Sequence, residues 1–183
     1  MITIKSVNKT YLGSSAPKPK NPNFFAYNVE DIQTYPTRDS KGIKSVGDLI
    51  LKPGKKGIGI YVTPSTISRP DTQNGDYPAR GFISTVLGTV PGDELALNEL
   101  VQYFVNKDWI IITEGCESDA DTRMHGSKCA PMELSSEETD NNEGTSKAFT
   151  FTQTARYKYK SMHYSGAIPE IEEYATQEEP DGA

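Results

Sequence analysis

The sequence predicts a mainly β protein: a β-sandwich or barrel with one flanking α-helix at about 93–106, an extended N-terminal arm and long loops. Two observations support this class: strand patterns outnumber helical ones, and only one segment has a helical period. Strand-rich chains bury their apolar faces by packing sheet on sheet or by closing into a barrel. The length of 183 residues, 35% of them hydrophobic, suits a single domain.

Three segments predict strands by the spacing of their apolar residues. In Ala148–Lys160 the odd positions are mostly aromatic and the even ones are Thr, Arg or Lys. This alternation indicates one packed face and one basic or hydroxylic face. Trp109–Thr113 is a β-branched run typical of a buried strand, and Phe82–Val90 predicts a further strand.

A hairpin is predicted near the middle of the first half of the chain. Two short apolar segments, 46–51 and 58–62, flank the turn-forming residues Lys52–Gly57. Neighbouring strands joined by a Pro- and Gly-containing turn ordinarily pair with each other.

The single helix is predicted from one apolar stripe. Its members recur at i, i+3, i+4 and i+7, and they are Leu97, Leu100, Val101 and Phe104. Asp93 and Glu94 favour the first turn, and Lys107 favours the end, because these charges complement the helix dipole.

Domain organisation follows from the distribution of Pro, Gly and charge. Residues 1–169 are predicted to form one β-rich domain, with an extended arm or loop at about 13–45 and a long loop at about 63–80. The apolar cluster Phe24–Val29 would anchor the arm. Residues 170–183 carry six acids and no base, which predicts an acidic, solvated tail.

The charges are arranged in blocks of alternating sign. Residues 1–80 carry twelve Lys and Arg against six Asp and Glu, whereas residues 81–146 carry three against thirteen. Residues 147–169 carry four bases and no acid, before the acidic tail at 170–183. Opposite fields steer surfaces together, so this pattern favours association, and copies of the chain could stack head to tail.

The two cysteines and one histidine fall in one segment. Cys116, His125 and Cys129 have the spacing C-x8-H-x3-C, which lacks the closely paired ligands and the fourth ligand of a structural zinc site. We therefore predict no metal and no cofactor. The sequence permits a disulfide between Cys116 and Cys129, although reduced thiols are the default in a chain without an export signal.

No catalytic constellation is apparent, so the chain is predicted not to be an enzyme. A Cys–His nucleophile pair would need an activated thiolate and an oxyanion hole, and no motif supports either. Direct nucleic-acid binding is also disfavoured. The rings and charges of Arg156–Lys160 would point to opposite faces of a strand, and the pI is near 5.0.

Targeting and membrane segments are not expected. Met1–Lys5 has no uninterrupted apolar run typical of a secretory signal. The longest apolar run, Trp109–Ile112, falls far short of the ~20 residues that cross a bilayer.

The order of these elements resembles the tube-forming proteins of long-tailed phages and related contractile machines, including type VI secretion tubes. The resemblance covers residues 46–165. It rests on the loop Pro64–Arg80, the helix Asp93–Asn106 running into Trp109–Ile112, and the strand Ala148–Lys160. It implies a small β-sandwich or barrel whose copies form rings, usually hexamers, that stack into a hollow tube. It further implies a structural protein of the virion tail, made in the host cytoplasm, whose partners are copies of itself and other virion proteins.

The Pro-rich N-terminal stretch and the acidic tail depart from that group. They leave open another virion component, such as a connector, decoration or baseplate protein. A β-sandwich that binds a peptide or glycan through its long loops is the alternative outside the virion.

Assembly contacts are expected where the charge blocks are densest. The candidate interface residues are Lys52, Lys55, Lys56, Glu114, Glu117, Asp119, Asp121, Arg156, Tyr157, Lys158, Tyr159 and Lys160. The lysines of the 52–57 turn would meet, on a neighbouring copy, the acidic loop that carries Glu114, Glu117, Asp119 and Asp121. The Tyr/Lys strand would pair with a neighbour by strand addition at a sheet edge.

Overall fold

The computed structural model describes residue 6 and residues 18–116 and 121–174. One α-helix, α1 (Leu95–Phe104), and two 3-10 helices (Val29–Asp31 and Pro64–Thr66) lie within them. The strands are β1 (Lys20–Asn28), β2 (Ile32–Thr34), β3 (Thr37–Arg38), β4 (Ser45–Val46), β5 (Ile50–Leu51), β6 (Ile58–Tyr61), β7 (Asp71–Asn74), β8 (Gly81–Pro91), β9 (Trp109–Gly115), β10 (Arg123–His125), β11 (Met132–Asn141), β12 (Gly144–Gln153) and β13 (Met162–His163). The predicted class, mainly β with one flanking helix, is confirmed.

One large antiparallel sheet dominates the described residues. Its order is β13-β10-β9-β11-β12-β8-β7, and β1 and β6 continue it from the other edge of β9. The sheet curls until the residues after β6 reach β8. There the Thr63 amide donates to the Thr89 carbonyl at 2.8 Å, and Ser68 forms an antiparallel β-bridge with Leu87. The result is a sandwich that nearly closes into a barrel.

The strand β9 separates two hydrophobic cores because both of its faces are buried. Trp109 and Ile111 belong to the inner core, enclosed by the curled sheet and α1, whereas Ile110 and Ile112 belong to the outer core. None of these four side chains is more than 1% exposed. The prediction of a buried strand here is confirmed.

The helix lies where the apolar stripe predicts it, two residues shorter at each end than the predicted 93–106. Its stripe packs against the inner core, and Phe104 is 1% exposed. Asn106 adopts a positive φ of 56°, which ends the helix and turns the chain into β9.

The prediction of an extended arm at 13–45 is wrong for its apolar part. Residues 20–28 form β1, a central strand between β6 and β9. Pro22 is tolerated because its carbonyl still accepts a hydrogen bond from the Val62 amide at 2.7 Å. Residues 13–17 of the predicted arm lie outside the described residues.

The predicted hairpin around Lys52–Gly57 is also wrong. β5 pairs with β2, and β6 pairs with β1 instead of with its neighbour in sequence. Gly47, with a φ of 88°, divides the predicted 46–51 strand into β4 and β5.

The long C-terminal strand is shorter than predicted. β12 ends at Gln153. The Ser84 amide of β8 donates to the side-chain oxygen of Gln153 at 3.1 Å and not to a backbone carbonyl of β12. Thr152 lies opposite Thr85, and Tyr157 lies opposite Phe82. The chain therefore takes five steps after Thr152 where β8 takes three, and the two extra residues form a bulge. The strand is therefore confirmed over 148–153 and absent over 154–160.

Strands also occur in two segments where the sequence predicts none. The acidic stretch 115–146 holds β10 and the ten-residue β11, which pairs along its full length with β12. The loop at 63–80 contains a 3-10 turn and β7.

Candidate assembly surfaces

One edge of β6 is only partly paired. The backbone groups of a strand point alternately to its two sides. The Val62 amide faces β1 because it donates to Pro22 at 2.7 Å. By alternation, the N–H and C=O groups of Gly59 and Tyr61 face the opposite side.

Both ends of this outward edge are hydrogen-bonded. Gly57 donates to Glu170 and accepts from Glu172, each at 2.8 Å, and Thr63 donates to Thr89 at 2.8 Å. The outward groups of the two residues between them make no backbone hydrogen bond to any described residue. Among the described residues, a short strand edge is thus left without a backbone partner where the barrel fails to close, and the side chains of Ile171 and Tyr174 lie close to it at Gly59. We call it the open edge.

An apolar groove of about 540 Å³ runs beside this open edge, between β6 and α1. Its apolar and aromatic side chains come from β6, β8, α1 and the C-terminal segment, and they are Ile58, Ile60, Tyr61, Val90, Ala96, Leu97, Leu100 and Tyr174. Glu94, Glu172 and Glu173 also line it. The groove could therefore bury apolar side chains of an extended segment that pairs with the edge.

Apolar side chains around the groove are accessible to solvent. Leu95, the first residue of α1, is 74% exposed, and Tyr61 is 49% exposed. Large apolar groups left in water beside an open strand edge are typical of a contact surface.

His125 lies at the centre of a buried polar network. Its Nδ1 is 2.7 Å from Ser84 Oγ and its Nε2 is 3.2 Å from Thr113 Oγ1, and the side chain is fully buried. Burial lowers the pKa of His125 to about 3, which keeps the imidazole neutral; Asp71 acts to raise this pKa. The two hydrogen bonds join His125 of β10 to Ser84 of β8 and Thr113 of β9. Ser84 and Thr113 are buried as well, so neither hydroxyl is exposed to solvent.

Asp71 lies at the edge of this network. The Ser161 hydroxyl donates to Asp71 Oδ2 at 2.6 Å. Burial acts to raise the pKa of Asp71, but hydrogen bonds from Ser161 and Ser84 outweigh it, so the pKa is lowered and the group stays ionised.

The candidate residue Asp121 pairs within the chain. Its carboxylate forms an ion pair with Arg69, whose guanidinium also donates to Thr113 Oγ1 at 3.0 Å. The Lys20 ammonium lies 3.6 Å from Asp121 Oδ2, and Arg123 Nε lies 3.9 Å from Asp121 Oδ1. Candidate Glu114 accepts a hydrogen bond from Asn21 at 3.0 Å, and candidates Glu117 and Asp119 lie outside the described residues.

The lysines of the 52–57 turn also contact their own chain. Lys55 forms an ion pair with Asp31 at 3.0 Å, and Lys52 donates to the Glu30 carbonyl at 2.6 Å. Lys56 is exposed. The structure therefore brings the turn lysines to acidic residues 30 and 31, and it does not bring them to Glu114 or Asp121.

Residues 156–160 form part of a pocket instead of a strand. The pocket has a volume of about 420 Å³. We call it the basic pocket and define it by Tyr35, Arg38, Lys128, Tyr157 and Tyr159. None of the described residues that line it is Asp or Glu.

Cations lie over the aromatic rings of the basic pocket. The Arg38 guanidinium is 5.0 Å and the Lys158 ammonium 4.8 Å from the centre of the Tyr159 ring. The rings of Tyr157 and Tyr159 meet edge to face at 5.6 Å. Candidates Arg156 and Lys160 are exposed nearby in sequence.

One end of the hairpin β11–β12 is acidic, and we call this end, the last residues of β11 with the turn, the acidic tip. Its acids, all exposed, are Glu137, Glu138, Asp140 and Glu143. Glu138 pairs at 2.7 Å with Lys147, which also binds Asp93 at 2.7 Å and so ties the hairpin to the start of α1. The other three form no ion pair with a described residue. The sequence shows these charges, but nothing in it indicates that they lie at one end of a hairpin.

The segment that holds both cysteines and His125 forms neither a ligand cluster nor a disulfide within the described residues. No group of three or more His, Cys, Asp or Glu residues suited to a metal lies within the described residues. Cys116 and Cys129 are both free and exposed, so they do not form the disulfide that the sequence left open.

No protein-family model, curated protein or solved structure matches the chain. The resemblance to tube-forming phage proteins therefore stays a prediction that rests on the layout of the elements.

A membrane helix is not found. No α-helix in the part of the chain that the structure describes is long and apolar enough to cross a bilayer.

Proposed function

We propose that the chain is a non-enzymatic structural protein whose copies assemble into stacked rings that form a phage tail tube. The observation that supports self-assembly most strongly is the open edge at Gly59 and Tyr61 beside an apolar groove. Unpaired backbone groups at a strand edge and an apolar groove beside them are ordinarily covered by another chain.

The copies of the chain are the natural occupants of this edge. A ring forms when one surface patch binds a different patch of an identical neighbour and the rotation closes. The ring size follows only from the resemblance, which implies a hexamer. Placement in a virion tail, with other virion proteins as further partners, rests on the same resemblance.

A β-sandwich module that binds a peptide of another protein is the second candidate. The same groove favours it, because strand addition over an apolar groove is a common mode of peptide recognition. In that case the purified chain would stay monomeric until the peptide is added.

The test is a pair of variants at Tyr61. Proline at this position removes the outward N–H and blocks strand addition, whereas Tyr61→Thr keeps the N–H and the β propensity. We expect Tyr61→Pro to remain monomeric in sedimentation velocity at concentrations where the wild type and Tyr61→Thr assemble. Circular dichroism checks that each variant is folded.

The two functions give different results in this test. Equal assembly of the Pro and Thr variants would show that the edge is not the contact. A wild type that stays monomeric at every concentration would exclude self-assembly and favour the peptide-binding module.

A further inference from the structure

The acidic tip and the basic pocket lie at opposite ends of one strand. β12 runs from Gly144, beside the acidic tip, to Gln153, from which the chain continues into Tyr157 and Tyr159 of the basic pocket. Ten strand residues separate the two ends by about 30 Å. This distance exceeds the ~10 Å Debye length at 0.1 M salt, so the two charged ends do not neutralise each other within one copy.

The two ends are complementary in charge. Residues 132–146 carry five acids and no base. The basic pocket carries Arg38 and Lys128, with Lys158 beside it, and Asp39 near Arg38 already accepts hydrogen bonds from the amides of Ile43 and Lys44. Within the described residues, Glu137, Asp140 and Glu143 form no ion pair, although Asp140 accepts a hydrogen bond from the Thr145 hydroxyl at 3.1 Å. The basic pocket has the complementary charge.

The size of the pocket agrees with this fit. The tip narrows to the two residues Asn142 and Glu143 between the strands, and Glu143 and Asp140 are exposed. A cavity of about 420 Å³ accepts side chains of such a turn but not the paired strands behind it. The tyrosine rings offer flat apolar walls, and Arg38 and Lys128 offer donors to the carboxylates.

We propose that the acidic tip of one copy docks in the basic pocket of the next copy along a head-to-tail stack. The contact is heterologous, since two different patches of the same chain meet, and such a contact repeats without limit unless it closes. It deepens the proposed function, on which it rests, by naming the surfaces that join one ring to the next. The open edge of β6 is left for contacts within a ring.

The test exchanges the charges of the two surfaces. One variant reverses the tip (Asp140→Lys with Glu143→Lys), and the other reverses the pocket side (Lys128→Glu with Lys158→Glu). The matched control, Lys18→Glu with Arg80→Glu, makes the same change of charge at exposed positions outside the pocket. Assembly is followed by sedimentation velocity and negative-stain microscopy at 50 mM and 500 mM salt.

We expect each reversed variant alone to need a roughly tenfold or higher concentration to stack, because like charges then face each other. An equal mixture of the two should stack at the wild-type concentration, since each reversed tip meets a reversed pocket and each native tip a native pocket. The control should match the wild type. Restoration in the mixture also shows that both variants are folded.

Three results would overturn the contact. They are unchanged stacking of both single variants, failure of the mixture to restore stacking, and an equal loss in the control. In all three the wild type still assembles, so the proposed function survives. A wild type that never assembles removes the proposed function and this contact together.

Discussion

The rings of Phe104 and Trp109 lie stacked, with their centres 3.9 Å apart and their planes 13° from parallel. This contact joins the last residue of α1 to the first residue of β9. Phe151 meets the same Phe104 ring edge to face at 5.9 Å, so the helix is fixed to two strands of the inner core.

Phe104→Ala should therefore destabilise the fold strongly. Removing a buried aromatic ring costs about 3–5 kcal/mol in free energy of unfolding, because contacts are lost and a cavity remains. Tyr103→Ala is the control, since Tyr103 is 47% exposed, and it should cost less than about 1 kcal/mol. Urea unfolding of the monomer measures both. Equal costs would contradict the placement of the helix.

Stability should fall in mild acid because of His125. The pKa is about 3 in the fold and 6.5 in the unfolded chain, so below pH 6.5 only the unfolded chain gains the proton. Linkage then removes about 2–3 kcal/mol of stability between pH 6.5 and 4.5. Asp71, whose pKa is lowered, adds its loss only at lower pH.

His125→Gln should flatten this dependence, since an amide can still bond to a neighbouring hydroxyl but does not titrate. The measurement is the urea midpoint at several pH values between 7 and 4.5. A wild type and variant with the same slope would show that His125 is not the group responsible.

Arg69→Met should destabilise the fold by about 2–4 kcal/mol, because it leaves a partly buried Asp121 carboxylate short of its main partner. The Arg69 side chain is 7% exposed and also binds Thr113. Lys55→Met breaks an exposed pair with Asp31 and should leave the urea midpoint almost unchanged. A similar midpoint for the two variants would contradict a structural role for the Arg69 pair.

Amide exchange should reveal the open edge directly. In the monomer the amides of Gly59 and Tyr61 should exchange faster than that of Ile60, which faces β1, because only the latter is held in a ladder. On assembly the two fast amides should become protected. Residue-resolved exchange by NMR for the monomer, and quenched exchange for the assembly, measures this. Slow exchange of all three in the monomer would show that the edge is already covered.

The sequence predicts the elements whose side chains carry a strong apolar pattern. The stripe ending at Phe104 predicts α1, and the Trp109–Ile112 run predicts β9, because burial on one or two faces leaves a period in the sequence. β11 leaves none. Its residues are mostly polar and exposed, and pairing with β12 holds it in place.

Pairing partners and the assembly surfaces depend on contacts between distant residues. β6 pairs with β1 instead of β5, which no local turn pattern predicts, and only that pairing shows which edge of Gly59 and Tyr61 is open. The charge blocks are visible in the sequence. Their placement at the two ends of β12 requires the register of the hairpin.

The most direct test of self-assembly is electron microscopy of the purified full chain over a range of concentrations, after negative staining. We predict rings at low concentration and stacks or tubes of those rings at high concentration, with stacking weakened by salt. Uniform single particles of about 20 kDa at every concentration, confirmed by sedimentation, would contradict the account.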